Sequence, residues 1–224
     1  HASHEYGVKH LLFLGSACVY PKYAEQPIKE DSILLGSLEP TNEPYALAKI
    51  TGIKLCETYF KQYSDNFISA MPNNLYGPND NFDSETSHVI PALIRKLHHA
   101  KITSSKYVKI WGTGTPLREF LHVDDLSEAI LFAMNNINAN EIYNRGISHM
   151  NVGSGEELSI RELAFLIKKT VGFKGDIKFD GSKPDGTPRK LLDSTIIIEK
   201  GWEPKIKLEF GIELLYKQYK KTFS

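Results

Sequence analysis

Continuous apolar runs alternate along this chain with segments whose apolar residues recur every three or four positions. The runs Val8–Gly15 and Phe67–Met71 are typical of strands buried on both faces of a parallel sheet. Shorter strands are expected at Tyr107–Trp111, Arg118–Val123 and Met150–Gly153. Helical spacing follows near Tyr45, His88, Asp125 and Ser159, and in the stretches Ser194–Lys200 and Leu208–Thr222. Strands that alternate with helices predict an α/β fold with a mainly parallel sheet.

The first residues are an unusual start for a domain. His1–Tyr6 has the pattern of a helix end, with Gly7 as its C-terminal stop, and a buried strand follows at once. A domain rarely begins with the tail of a helix that leads into a central strand. We therefore expect an N-terminal part of the fold, roughly 80–100 residues at the usual length of βαβ units, to precede this chain.

Composition narrows the functional classes. Of the 224 residues, 41% are apolar, which suffices for a packed core, and Lys+Arg and Asp+Glu balance at 27 each. Balanced charge argues against nucleic acid or an acidic membrane as the main partner. No apolar run approaches the length of a membrane span, and no signal peptide opens the chain. Two cysteines cannot form a disulfide framework, so we expect a reduced, cytoplasmic protein.

A tyrosine and a lysine four residues apart open the most informative helix. Pro44 suits the first turn, and Tyr45 and Lys49 then share one helix face. A lysine ammonium held near a phenol favours the phenolate, so such a tyrosine can exchange a proton near neutrality. The same spacing is common by chance, and the pair alone could equally be two surface residues.

Further polar residues follow the predicted strands, where α/β proteins form their sites. Ser16 and Cys18 come directly after the first run, although alone they could be a turn residue and a small buried hydrophobe. His88 could likewise be a solvent-facing residue at a helix start, and Trp111 could belong to the core.

A second group of polar residues resembles a metal site at first sight. His122, Asp124 and Asp125 cluster at the end of a predicted strand. Strand-end and helix-cap roles explain them better, with Asp124 as the cap of the following helix. We assign no metal.

Long motifs lie at Gly15–Lys22, Glu39–Ala46, Asn74–Pro78, Ser87–Leu93, Trp111–Asp125 and Lys183–Lys190. Together they resemble the extended short-chain dehydrogenase/reductase family, the nucleotide-sugar epimerases and dehydratases. The resemblance spans the chain. Its long motifs are most similar to those of the members that epimerise a 4-keto-6-deoxy GDP-hexose at C3 and C5 and reduce it at C4. The Gly-rich turn with which the family holds the cofactor pyrophosphate does not occur in this sequence.

The resemblance implies a catalytic role for five residues. Cys18 is expected to be the base of the epimerisation and His88 its acid partner, which their chemistry permits. Tyr45 is expected to donate a proton to the C4 oxygen during reduction. Lys49 would lower the pKa of Tyr45 and bind the nicotinamide ribose. Ser16 would bond the C4 oxygen and polarise the ketone.

The same resemblance implies NADPH as cofactor and a GDP-sugar as substrate. The residues expected to line the cofactor are Leu14, Gly15, Ser16, Ala17, Lys49, Pro72, Asn73, Asn74, Leu75 and His88. The residues expected to bind the GDP-sugar are Lys96, Trp111, Arg118 and Asp185. Arginine and lysine suit a diphosphate, and an aspartate can accept bonds from a guanine or a ribose.

Two domains and a homodimer are further expectations. Residues 1–78 and 118–155 would form the C-terminal portion of an NADP-binding Rossmann domain, and 79–117 and 156–224 a smaller α/β GDP-sugar-binding domain. The resemblance places the Tyr45 helix in the dimer interface, with its apolar face formed by Cys56, Tyr59, Phe60 and Tyr63. The apolar stripe of that helix also predicts that Cys56 is a core residue.

Two other functions remain open at this point. One is another nucleotide-sugar epimerase or dehydratase of the same family, against which Cys18 together with His88 argues. The other is a non-catalytic NADP-binding protein on the same fold, which would usually lack Tyr45 or Lys49.

Overall fold

The computed structural model describes residues 1–223 as an alternation of helices and strands, which confirms the predicted α/β class. Its strands are β1 (Leu11–Leu14), β2 (Phe67–Pro72), β3 (Asn74–Tyr76), β4 (Tyr107–Trp111), β5 (Leu117–His122), β6 (Met150–Val152), β7 (Glu157–Ser159), β8 (Asp176–Asp180) and β9 (Arg189–Lys190). Its helices are α1 (Ala2–Glu5), α2 (Glu43–Tyr63), α3 (Val89–Ile102), α4 (Val123–Asn136), α5 (Ala139–Tyr143), α6 (Ile160–Val171), α7 (Thr195–Glu199) and α8 (Leu208–Phe223).

Three strands form a parallel sheet in the order β1-β2-β6. β2 pairs with β1 on one side and β6 on the other, and all of its residues are buried, as its apolar run predicts. α2 crosses this sheet very closely, since a Cβ on Gly52 would lie 2.2 Å from the ring of Phe13. A glycine in the middle of a helix is therefore required here by packing.

The remaining strands form a sheet of β3, β5 and β7 with β9 added beside β5, and a separate parallel pair of β4 and β8. The Asn, Gly and Pro residues between 72 and 78 favour a turn-rich loop after β2, but three residues of this segment form β3. β3 runs parallel to β5, which lies much later in the chain. Pairing with a distant segment supplies its hydrogen bonds, and local turn propensities do not reveal that partner.

α2 buries one face on the sheet and exposes the other. Cys56 is only 6% exposed, and the ring of Phe60 packs 4.9 Å from that of Tyr143. The expectation that Cys56 and Phe60 form an interface surface is therefore wrong, because both side chains are used inside this chain, whereas the core position of Cys56 is confirmed. The large apolar side chains that α2 exposes are Leu47, Leu55 and Tyr63, together with half-exposed Tyr45.

Two helices begin with side-chain caps. Ser159 caps α6, and the carboxylate of Glu162 accepts the Ser159 backbone N–H, so the two residues form a capping box. Asp124 was expected to cap α4, but the helix begins at Val123, two residues earlier than that cap requires. His122 is the cap instead, since its Nδ1 accepts the N–H of Asp124 at 3.2 Å. A histidine is a rare cap, so the usual preference for aspartate misled the prediction.

Three clusters of buried apolar side chains hold these layers together. The largest lies among α3, α6 and α8, the second around β6, α4 and α5, and the third under a 3₁₀ turn, Ala17–Val19, that follows β1. Tyr76 and Phe120, which were assigned to the cofactor domain, pack in the largest cluster with helices of the other domain. The proposed two-domain boundary stays a prediction.

Among residues 1–223, no helix combines the length and the apolarity that crossing a membrane requires. Within the same residues, no three His, Cys, Asp or Glu side chains gather in a way that could hold a metal ion. The carboxylate of Asp125 instead accepts two backbone N–H groups, at 2.9 and 3.1 Å, from the segment before α8.

The long loop before α2 buries a carboxyl group. Glu30 is 6% exposed and accepts the backbone N–H of Asn151 at 3.0 Å. Burial raises the pKa of Glu30 from 4.5 to about 7, and the nearby carboxylates of Asp193 and Asp31 act in the same direction. The folded protein therefore favours the neutral form of Glu30 more than the unfolded chain does.

This burial predicts a pH-dependent stability. The contribution of Glu30 is complete below pH 4.5 and declines as the pH rises to about 7, because the unfolded chain ionises first. We expect Glu30→Gln to remove this decline, since the amide stays neutral and its oxygen can still accept the Asn151 N–H. Urea unfolding at acidic and mildly alkaline pH measures the effect, which is at most about 1.4 kcal/mol per pH unit. An identical pH dependence in parent and variant would contradict this interpretation.

Candidate active site

A cleft of about 1380 Å³ opens beside the carboxyl ends of β1 and β2. Its lining includes four of the five residues expected to be catalytic, namely Ser16, Cys18, Tyr45 and His88. They come from the turn after β1, the first turn of α2 and the residue before α3. Parallel strands end at one edge of a sheet, and this is why side chains so far apart in sequence share one cavity.

Ser16 and Cys18 lie in the 3₁₀ turn after β1. Ser16 caps the turn, its Oγ accepting the N–H of Cys18 at 3.4 Å, and the N–H of Gly15 donates to Ala70 of β2 at 2.9 Å. Cys18 is a free, half-buried thiol, and the Nδ2 of Asn42 lies 4.0 Å from its Sγ. An amide N–H donor therefore lies beside the thiol.

Tyr45 and Lys49 lie together at the start of α2. The Nζ of Lys49 is 5.7 Å from the centre of the Tyr45 ring and donates to the carbonyl oxygen of Leu14 at 2.7 Å. Tyr45 is half-exposed in the cleft wall, whereas Lys49 reaches behind it to the end of β1. The geometry thus places an ammonium beside the phenol.

The surroundings of Leu14 fit the nicotinamide half of a dinucleotide. An ammonium has three N–H donors, and in residues 1–223 the bond to Leu14 is the one hydrogen bond that Lys49 makes. Donors therefore remain for ribose hydroxyls. Leu14 is 38% exposed at the edge of the sheet and offers an apolar surface to a flat ring. Ala17 is buried below the cleft and lies outside its lining.

His88 precedes α3 as its N-cap but makes no capping hydrogen bond with its side chain. The imidazole is exposed on the cleft wall and is not committed to holding the helix. Asp80 lines the same cleft, and one of its carboxylate oxygens is buried without a hydrogen-bond partner in residues 1–223. Burial raises the pKa of Asp80 and the nearby charge of His88 lowers it, so the two side chains are neighbours.

Asn73 and Asn74 direct their side-chain amides into a buried network centred on Glu119. The Glu119 carboxylate, fully buried, accepts bonds from the Asn73 amide, from Gly155 N–H at 2.7 Å and from Leu192 N–H at 3.0 Å. The amide of Asn74 donates to the Glu119 carbonyl oxygen at 2.9 Å. The network ties the turn after β2 to the segments after β6 and β9. Because these side-chain amides are bonded inside the protein, a cofactor would contact the turn through its backbone.

The four residues expected to bind the GDP-sugar fall into two pairs. Arg118 and Asp185 line the cleft, and the carboxylate of Asp185 accepts the N–H of Thr113 at 2.7 Å. Lys96 and Trp111 lie outside the cleft lining, with the Lys96 Nζ 5.6 Å from the centre of the indole. Trp111 is 68% exposed, which excludes a core role.

Lys190, the last residue of the motif Lys183–Lys190, also lines the cleft, and no role was predicted for it from sequence. Burial lowers the pKa of Lys190, the Cys18 thiolate counteracts this effect, and the charge of Arg118 adds to it. Burial also lowers the pKa of Arg118. Two half-buried cations therefore share the cleft with Cys18, an arrangement suited to an anionic ligand.

The chain is similar to one protein family and to several known proteins. Residues 1–147 match the model of the NAD dependent epimerase/dehydratase family. GDP-L-fucose synthase 1 of Arabidopsis thaliana is 54% identical over 222 residues, covering 99% of this chain and 67% of that protein. The probable GDP-L-fucose synthase 1 of Oryza sativa subsp. japonica is 58% identical over 212 residues, covering 95% of this chain and 62% of that protein.

Solved structures show the same relationship. A GDP-L-fucose synthetase from Naegleria fowleri bound to NADP superposes with a TM-score of 0.87 at 29% identity, covering 99% of this chain and 69% of that one. The chain thus spans about two thirds of the length of these relatives.

Proposed function

This chain belongs to the NAD dependent epimerase/dehydratase family, and on that premise we propose that the complete protein converts GDP-4-keto-6-deoxy-D-mannose to GDP-L-fucose with NADPH. The observation that carries the proposal is the single cleft lined by Ser16, Cys18, Tyr45 and His88. A thiol and an imidazole serve inversion at carbon, and a tyrosine with a neighbouring lysine serves reduction. The set therefore matches a double epimerase and reductase better than an enzyme that catalyses either reaction alone.

Epimerisation uses the acidity that the 4-keto group gives to the protons on C3 and C5. The Cys18 thiolate removes each proton, and the resulting enolate carries its charge on the C4 oxygen. The hydroxyl of Ser16 donates a hydrogen bond to that oxygen. His88 returns a proton to the opposite face of the ring and inverts the carbon.

Reduction completes the reaction at C4. NADPH supplies the hydride when it is bound, and Tyr45 gives the C4 oxygen its proton. The ammonium of Lys49, 5.7 Å from the Tyr45 ring centre, stabilises the phenolate that remains. Its free N–H donors, the exposed Leu14, and the backbone at 14–17 and 72–75 would hold the nicotinamide ribose and ring.

The nucleotide part of the substrate requires cations and a flat apolar surface. Arg118 and Lys190 are two half-buried cations in the cleft and would bind the diphosphate. Trp111 with Lys96 at 5.6 Å, and Asp185 beside them, would bind the guanosine. Two of these residues lie beyond the cleft lining, so a GDP-sugar would extend from the cleft along the end of β4.

The test is direct turnover by the complete protein. We expect loss of reduced nicotinamide absorbance with GDP-4-keto-6-deoxy-D-mannose and a product that coelutes with GDP-L-fucose. A product that keeps the D-manno configuration would instead indicate a reductase of the same family. Binding of NADPH and the sugar without turnover would indicate a non-catalytic member. Because Cys18 must stay a free thiol, we also place the protein in the reducing cytoplasm.

We further propose a homodimer formed through the exposed face of α2. Leu55 on this face is 52% exposed, and Leu131 on α4, 63% exposed, provides a matched control. Leu55→Glu is expected to give a monomer, because a buried charge without a partner opposes association, while Leu131→Glu stays dimeric. Light scattering at micromolar concentration measures the mass. A monomeric parent, or equal masses for the two variants, would contradict the proposed interface.

A further inference from the structure

A buried polar cluster lies directly behind the turn that carries Cys18. Tyr20, two residues further along, is 3% exposed, and His149 and Asn151 are fully buried against it. None of the three lines the cleft. The proposed chemistry does not use them, yet buried polar groups that are fully bonded are costly to displace.

The direction of each hydrogen bond in the cluster can be deduced. The Oη of Tyr20 lies 2.5 Å from both the Oδ1 of Asn151 and the Nε2 of His149. A carbonyl oxygen only accepts, so the phenol donates to Asn151. Its oxygen must then accept from the Nε2–H of His149. The Nδ1 of His149 consequently carries no proton and accepts from the Oγ of Ser148, at 3.1 Å.

The orientation of the Asn151 amide is fixed independently. Its Nδ2 donates to the carbonyl oxygens of Ile28, at 2.9 Å, and Asp193, at 3.1 Å. The opposite face of the amide must therefore present the oxygen to Tyr20. The result is one directional chain of hydrogen bonds that runs from Ser148 through His149 and Tyr20 to Asn151 and the two carbonyl groups.

Both ionisable members of this chain stay neutral in the working range. Burial lowers the pKa of His149 to about 3 and raises that of Tyr20 well above its usual value. The nearby charges do not reverse this: Glu30 and Asp31 raise the pKa of Tyr20 further, while Lys54 lowers that of His149 and Glu57 raises it slightly. The directions of the bonds hence do not switch near neutral pH.

These hydrogen bonds hold Tyr20, which ends the short turn that contains Cys18. The turn Ala17–Val19 begins at Ser16, which β1 holds, and ends at Tyr20. Within the turn, Cys18 N–H bonds to the Ser16 hydroxyl at 3.4 Å and Tyr20 N–H to the Ala17 carbonyl oxygen at 3.5 Å, and both bonds are long. Ala17 and Val19 are buried on either side of Cys18, but apolar packing is not directional. The hydrogen-bonded tyrosine therefore adds a directional restraint at the far end of the turn.

We propose that Tyr20, held by His149 and Asn151, is a positioning residue that keeps the Cys18 sulfur aligned with the sugar for proton abstraction. The proposal rests on the function proposed above for Cys18. Ser16 is attached to the sheet through Gly15, so loss of the anchor displaces Cys18 more than Ser16. Misplacement by about 1 Å can reduce a reaction about 100-fold.

The test compares two buried tyrosines in the complete protein. Tyr20→Phe removes the phenol behind Cys18, and Tyr143→Phe removes a buried phenol that donates to the Phe67 carbonyl oxygen at 2.7 Å, away from the cleft. Epimerisation is measured as solvent deuterium incorporation at C3 and C5. Hydride transfer is measured separately in reverse, from GDP-L-fucose to NADP, which needs no epimerisation.

Tyr20→Phe is expected to slow deuterium incorporation about 100-fold while reverse hydride transfer changes less than about threefold. Tyr143→Phe should leave the ratio of the two rates unchanged. Amide hydrogen exchange of residues 17–20 should accelerate in Tyr20→Phe alone, a readout that needs no substrate and so stands even if the proposed function fails. Equal loss of both reactions, or unchanged exchange in the turn, would overturn the proposal.

A second pair of variants covers the case in which Tyr20→Phe does not fold. His149→Gln places an amide N–H near the position of Nε2 and should still donate to Tyr20, whereas His149→Leu cannot. We expect His149→Gln to keep at least a third of the parent epimerisation rate and His149→Leu to lose about 100-fold. Equal epimerisation rates in these two variants would show that the donated bond has no positioning role.

Discussion

Replacing Cys18 by serine is expected to lower epimerisation by about 100- to 10,000-fold, the usual contribution of a general acid or base. A hydroxyl of nearly the same size is a far weaker acid than a thiol and provides no base near neutral pH. The half-buried thiol lies 4.0 Å from the Nδ2 of Asn42, and the Lys190 side chain lies near it in the cleft. Deuterium incorporation at C3 and C5 of the 4-keto sugar measures the loss.

The same variant should still bind and reduce the 4-keto sugar. Tyr45 and Lys49 lie on α2 and not on the turn after β1, so they keep their places. A product reduced at C4 without inversion should become visible. His88→Asn should show the same pattern, because His88 completes the inversion. His99→Asn is the matched control, since His99 is exposed near the end of the same helix. If either Cys18→Ser or His88→Asn epimerises at the parent rate, the residue replaced is structural.

Much of the local structure could be predicted because its causes are local. Pro44 at the start of α2 and the pair Ser159 and Glu162 at the start of α6 act within one helical turn. The apolar run of β2 reports burial on both faces directly. Features of this kind depend on neighbours in the sequence, so their pattern is sufficient.

Apart from the cap of α4, the errors concern partners that are distant in the chain. β3 and β9 are two or three residues long and exist because β5 pairs with them. The wrong interface face of α2 has the same origin: Phe60 is partly buried and packs against Tyr143, which a helical pattern cannot show. Apolar residues on both sides of a helix do not reveal which side meets the sheet.

The candidate active site shows most clearly the difference between features with local causes and features that depend on distant partners. Cys18 and Tyr45 have reactive side chains and lie in recognisable motifs, so they could be selected from the sequence. In the structure both line one cleft. Asn42, Lys190 and the buried Glu119 were not selected. Their roles arise from the positions of their partners, and an asparagine, a lysine or a glutamate in a loop or strand carries no signal of its own.

The second large effect, on reduction at C4, is expected from a change at the start of α2. Tyr45 is 51% exposed on the cleft wall, so a sugar in the cleft can reach it. The Lys49 ammonium, 5.7 Å from its ring centre, is held in place by the Leu14 carbonyl oxygen at 2.7 Å. This arrangement provides one proton donor for the C4 oxygen and a fixed charge behind it. Epimerisation requires proton transfer at carbon, which neither residue performs.

Tyr45→Phe is therefore expected to reduce hydride transfer to the 4-keto sugar by about 100- to 10,000-fold while deuterium incorporation at C3 and C5 continues near the parent rate. Oxidation of NADPH and mass spectrometry of the recovered sugar measure the two effects in one sample. Tyr63→Phe is the control, because Tyr63 lies 47% exposed at the other end of α2. Simultaneous loss of exchange and reduction in Tyr45→Phe would mean that the phenol supports the epimerisation as well, and it would refute the division of roles between Tyr45 and Cys18.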